Sequence, residues 1–339
     1  MAELIKDLCR INGVSGNEGD VRKYIISKIK DKMSDITVDS MGNVIALKKG
    51  RKSGKKIMLV SNMDEPGFIV SGVTDKGYLK IKNVGSIDSR VIISKKVVIG
   101  SGVKGIIGMK AIHLQKKSER ENTVATEDLF VDIGASSKKN ALKKVNLGDY
   151  VTFDTEYRET ERRICAKALD RAGCACLIDA ADAECEYDTY FVFSAQKEIE
   201  ARGARVAAHR IQPDVVLTVG TAETADMYGV DKDRHCAELG KGAVIADADK
   251  TMLADKRLTE FLKKLAKNNG ICIQESKGIE NKSVGGAVQT AANGAAVCGI
   301  SIPCRYSHTP VCMADKHDIE QVKKLVKAFS ERVADIWNY

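Results

Sequence analysis

The period of apolar positions changes three times along the chain. In residues 2–32 they recur every three or four positions, first Leu4, Ile5 and Leu8, then Val21, Tyr24, Ile25 and Ile29. That spacing predicts two helices, broken by the turn Asn12-Gly13-Val14-Ser15-Gly16. Short apolar runs at 36–38, 44–47 and 57–60 predict strands, and the lysine-rich stretch between the last two reads as a solvated hairpin loop. From about 66 to 160 the runs shorten to 67–73, 78–84, 91–93, 97–99 and 102–107, with one helical period at 137–144. This texture predicts an all-β module. Beyond 160 the pattern alternates: helix at 172–183, strands at 189–194 and 215–219, helix at 258–268, strand at 295–302 and a closing helix at 318–338. Alternation of this kind predicts a largely parallel sheet between two helical layers. The expected organisation is an α/β domain of residues 1–65 plus 161–339, interrupted by a β module at 66–160.

Composition narrows the class. A chain of 339 residues with 44% hydrophobic and 29% charged residues folds and has room for about two domains. Its first residues carry charges where a signal peptide needs an apolar segment, and no run approaches ~18 apolar residues, so a cytoplasmic location with no membrane partner is expected. The ten cysteines include no Cys-x-x-Cys pair and sit mostly among aliphatic residues, as small buried hydrophobes do. The net charge of +8 is modest, and the densest basic stretch, residues 48–56, contains no aromatic residue, which disfavours nucleic acid as a partner.

Catalytic groups of open α/β sheets gather at the carboxyl ends of strands. Five such segments carry conspicuous polar residues: 61–65, 168–173, 195–199, 217–220 and 305–310. Each alone reads as a strand-end turn or helix cap. Their order, however, resembles the cocatalytic-metal aminopeptidases that include the tetrahedral and glutamyl aminopeptidases. The likeness runs over essentially the whole chain. It is carried by Gly13-Val14-Ser15-Gly16, Met63-Asp64-Glu65 with Gly67-Phe68, residues 129–137, Lys167-Ala168-Leu169-Asp170 with Arg171, Arg202-Gly203-Ala204, Ser301-Ile302-Pro303, Arg305-Tyr306 and His308.

The resemblance implies a zinc-exopeptidase-like three-layer α/β domain with an inserted PDZ-like β-barrel module, and assembly into homo-oligomers. It also implies a pair of divalent metal ions, zinc or cobalt, with five ligands and a glutamate as general base, acting on peptides. Paired metals lower the pKa of a bridging water and polarise the scissile carbonyl while the carboxylate moves the proton. Carried over position by position, Asp170, Glu198 and His308 match ligands, Asp170 as the bridge. Asn62 stands where the early histidine belongs, Thr218 where the late aspartate belongs, and Lys197 replaces the general-base glutamate. The sequence has one aspartate before Arg171 where the family has two residues.

Thr218 removes one negative charge and Lys197 changes the charge by two, so the site is three units more positive than the family's. At an effective dielectric near 20, two unit charges ~4 Å apart repel by about 4 kcal/mol, and a divalent ion doubles that. At most one ion is expected at Asp170, Glu198 and His308; the other outcome is that the Lys197 ammonium takes the cation's place. The leading expectation is an aminopeptidase homologue with a degenerate site and little or no ordinary peptidase activity, left to bind peptide ends or to assemble with active relatives. The alternative is an active enzyme using one metal or substitute ligands. Some relatives carry an endoglucanase label, but 5% aromatic residues and a single tryptophan, Trp337, give little platform for sugar.

Overall fold

The computed structural model describes residues 1–276 and 283–338. Its centre is an eight-stranded sheet. The strand order is Asp35–Val38, Val44–Lys48, Asp188–Ser194, Lys56–Asn62, Val215–Glu223, Ala296–Cys304, Ala243–Ala246 and Ile273–Glu275. The four middle strands, from Asp188–Ser194 to Ala296–Cys304, run parallel.

These strands read as continuous apolar runs because both faces are covered. Ile57, Leu59, Val215 and Leu217 face one layer, formed by helices Ala2–Arg10, Gly19–Ile29, Ala172–Ala180, Lys256–Asn268 and Lys316–Arg332. Met58, Val60 and Val216 face the other, under helices Arg202–Ile211 and Gly285–Gln289. The three-layer expectation is met. Within 67–153, strands Gly67–Val73, Leu79–Val84, Phe130–Asp132, Val103–Gly108, Lys96–Ile99 and Tyr150–Phe153 close into a six-stranded antiparallel barrel around its own core, with Phe68 and Phe153 edge to face.

Three expectations are corrected. Residues 48–56 do not form a hairpin: strand Asp188–Ser194 inserts between the strands they join. The basic stretch is instead paired with acidic residues, Lys49 with Asp188, Lys52 with Glu186 and Lys55 with Asp214. The run at 91–93 is no strand; a 3-10 turn, Ser89–Val91, capped by Asp88, drops Ile92 into the barrel core. The closing helix begins at Lys316, where the Asp315 side chain caps the His317 N–H, and gives way to a 3-10 turn at Val333–Asn338.

Helix Arg202–Ile211 meets the sheet through Gly203, where a Cβ would overlap Asn43 Oδ1 and the Ala195 carbonyl. Gly203→Ala is therefore expected to lower stability by about 2–3 kcal/mol through overpacking, read as a lower thermal midpoint.

Candidate active-site pocket

An open pocket lies where the parallel strands end at their carboxyl side. Each strand end delivers one part. Strand Lys56–Asn62 leads into Asp64 and Glu65; Asp188–Ser194 into Lys197 and Glu198; Val215–Glu223 supplies Thr221 and Glu223; Ala296–Cys304 leads into Ser307 and His308. Asp170 follows Arg163–Ala166, and the barrel side contributes Pro66 and Phe153. Barrel residue Gly85 (φ +86°) lies so close to Glu198 that a Cβ there would come within 2.8 Å of its Cβ.

The middle of the pocket is an ammonium gripped by two carboxylates. Lys197 Nζ lies 2.8 Å from Glu198 Oε1 and 3.2 Å from Asp170 Oδ2, with its side chain only 22% exposed. Burial disfavours the lysine's charge, but Asp170 and Glu198 outweigh it and hold the amine protonated well above its ordinary range. Burial likewise opposes ionisation of Asp170, yet Lys197 and bonds from Thr221 hold its carboxyl below the ordinary range. Thr221 donates from N at 2.7 Å and from Oγ1 at 2.9 Å to Asp170 Oδ1.

A second ring of buried groups fixes the first. Asp64 accepts from Ser15 Oγ (2.6 Å) and from the Glu198 N–H (2.9 Å), so it holds the Glu198 backbone in place. Burial and the Glu198 charge push its carboxyl up to about 6. Glu65 accepts from the Gly13 N–H and pairs with Lys167 and Arg171 at 3.2 and 3.3 Å. Arg171, fully buried, donates to the carbonyls of Met63, Leu8, Ile11 and Gly13. The Gly13–Gly16 and Met63–Glu65 motifs thus act as the frame of the site. Strain gathers here too: Ala168, Gln196, Tyr306 and His308 are left-handed, with φ between +51° and +62°.

His308 points its Nε2 at Glu223 Oε1, 3.3 Å away. That hydrogen bond, against the opposing effect of burial, raises the imidazole above its ordinary 6.5. A raised value adds stability fully below pH 6.5, lost as pH climbs through the folded value; both side chains are over 40% exposed, so the effect on stability is small. Titration of the His308 ring protons by NMR should therefore give a midpoint above 6.5, moved back down in Glu223→Gln.

The structure brings Asp170, Lys197, Glu198 and His308 together, with Asp64 of the 61–65 segment and with Glu223 and Thr221, which sequence reasoning missed as site groups. It does not bring in the other two positions. Asn62 is buried and donates to the Asp64 carbonyl and Oδ1, at 3.3 and 3.4 Å. Thr218 lies five residues short of the strand end at Glu223, its Oγ1 3.5 Å from the Cys298 carbonyl. On that strand it is Gly220 whose Cβ would meet Asp170, at 3.0 Å from Oδ1. A glycine inside an apolar strand was the available signal.

Comparison with solved structures gives the class first. A TET aminopeptidase of the marine-sediment archaeon Thaumarchaeota archaeon SCGC AB-539-E09 superposes with a TM-score of 0.95 at 29% identity, over 99% of this chain and 98% of that one. A Pyrococcus horikoshii TET1 peptidase, which can assemble into a tetrahedron or a large octahedral shell, gives 0.86 at 29% identity, over 97% and 99%. In sequence, a putative aminopeptidase of Acetivibrio thermocellus is 36% identical over 96% of this chain and 97% of its own length. The chain belongs to the M42 glutamyl aminopeptidase family, whose profile matches residues 42–325.

Members of this family generally use divalent metals. In this structure the carboxylates that would ligate are turned to Lys197, and His308 to Glu223. Among the described residues no three His, Cys, Asp or Glu side chains group so as to hold a metal ion. Also among the described residues, no helix is long and apolar enough to cross a membrane.

Proposed function

We propose that this chain is an M42-family homologue in which a lysine ammonium replaces the metal pair, leaving little or no ordinary two-metal aminopeptidase activity. One observation carries the reading: Lys197 Nζ lies within 3.2 Å of both Asp170 and Glu198 and is held protonated, so it neither takes a proton from water nor leaves those carboxylates to an ion. The pocket stays open, and five carboxylates line it against two lysines. That surplus suits the positively charged amino end of a peptide, which we take as the ligand class. The relatives' assemblies support a homo-oligomer.

A second reading is favoured by the near-complete coverage of relatives named as aminopeptidases. In it, Lys197 swings away and Asp170, Glu198 and His308 take one ion. Incubation with short peptides and zinc or cobalt separates the two. No release of N-terminal residues is expected; release at an enzymatic rate, lost in Asp170→Asn, would overturn the proposal.

A further inference from the structure

Outside this charge system the pocket wall holds a pair of thiols. Cys304 ends strand Ala296–Cys304 and Cys312 begins strand Cys312–Asp315; both line the pocket and flank the turn that carries His308. Between them Arg305 and Met313 form an antiparallel bridge, with N–H···O bonds of 2.9 and 3.1 Å in both directions. Cys304 and Cys312 are each one residue removed from that bridge, so they lie diagonally on the same face. The neighbouring Cys312 thiol and burial hold Cys304 well above the ordinary thiol range. Each thiol also donates weakly at 3.5 Å to a carbonyl of the turn, Cys304 to Arg305 and Cys312 to Tyr306.

We propose that Cys304 and Cys312 form a reversible disulfide that re-sets the His308 turn. The oxidant class is a small disulfide such as oxidised glutathione. The thiolate of Cys312, the more exposed of the two, attacks one glutathione sulfur, forming a mixed disulfide and displacing one glutathione thiolate. The Cys304 thiolate then attacks the Cys312 sulfur, displacing the second. The two protein S–H protons end on the displaced thiolates; the protein pair is oxidised by two electrons and the glutathione disulfide is reduced.

Geometry makes this a switch as well as a cross-link. Diagonal neighbours across two strands sit with Cβ atoms a few ångströms farther apart than the ~3.8 Å a disulfide needs. Closing the bond must therefore draw in residues 305–311. That turn is poised to move, since Tyr306 and His308 are both held at left-handed φ and both are exposed. His308 would shift relative to Glu223, altering the rim of the pocket.

The test treats the intact protein with oxidised glutathione, blocks free thiols with iodoacetamide and digests with trypsin. Cleavage after Arg305 puts the two cysteines on separate peptides, joined only by the disulfide. The peptide ending at Arg305 also carries Cys298, so fragmentation must place the bond. Expected are joined peptides bonded at Cys304, lost with dithiothreitol and in Cys304→Ser or Cys312→Ser but kept in Cys298→Ser. Amide exchange across 305–311 should differ between the oxidised and reduced protein. A glutathione adduct on Cys312 without joined peptides, a bond at Cys298, or exchange unchanged by oxidation would each overturn the proposal. Fragmentation and exchange on the wild-type chain keep the test decisive even where a serine variant folds poorly.

Discussion

Replacing Arg171 with methionine is expected to abolish the native fold around the pocket, at a cost of more than about 4 kcal/mol. The side chain is completely buried, and its guanidinium ties four main-chain carbonyls from the first helix, the Ile11–Gly13 turn and Met63 to Glu65. Methionine fills similar volume but donates nothing, so the Leu8, Ile11 and Met63 carbonyls are stranded at about 1–3 kcal/mol each where no water reaches them, while Gly13 keeps the Glu65 N–H. Glu65 would keep only Lys167 and the Gly13 N–H. Arg171→Lys should not rescue the loss, because one ammonium cannot span acceptors that a planar fork reaches in several directions. Soluble yield and thermal midpoint check this. Lys104→Ala, which breaks an exposed pair with Asp154, is the control and should shift stability by less than about 0.5 kcal/mol.

Lys197→Met is expected to cost about 3 kcal/mol near neutral pH, because it leaves Asp170 and Glu198 facing each other without their shared cation. The pH dependence carries the sharper signature. In the wild type the lowered Asp170 contributes stability above its ordinary 3.8, lost only as pH falls through the lower folded value. The raised Lys197 contributes below 10.5, lost only as pH rises through the higher folded value. Between these limits the pair gives a flat profile. Without the ammonium, burial and the neighbouring carboxylate raise Asp170 instead, so the variant should lose stability as pH rises from about 4 toward neutrality. Denaturant midpoints at pH 4.5 and 7.5 read the difference. Adding Asp170→Asn should recover part of the loss, as coupled neighbours do.

The layered fold could be read from the sequence because its local and global signals agree. Runs such as 57–60 and 215–219 are apolar throughout since helices cover both faces, and the short glycine-punctuated runs after 66 have the period of a small barrel. What escaped was non-local. Nothing between residues 44 and 60 reveals that strand Asp188–Ser194 enters between the two neighbouring runs, so a hairpin looked natural. The short strands Ala243–Ala246 and Ile273–Glu275 hold too few residues for a period to emerge.

At the site, Asp170, Lys197, Glu198 and His308 were legible because they stand in ordered motifs. Glu223 was not: it is an ordinary carboxylate three residues beyond Gly220, and only the fold of the 305–310 turn brings His308 to it. Gly220, not Thr218, comes up against Asp170 for a related reason. Side chains alternate along a strand, and which position reaches the strand's end depends on where the strand stops, which here is Glu223.

The claim on which the account rests is that the Lys197 ammonium, and not a metal ion, is the cation of this pocket. Calorimetric titration of the purified chain with zinc, near neutral pH and beside Asp170→Asn, measures it most directly. The account predicts no stoichiometric uptake by the wild-type chain and no difference between the two proteins. Tight binding of one or two zinc ions per chain, lost in Asp170→Asn, would contradict it.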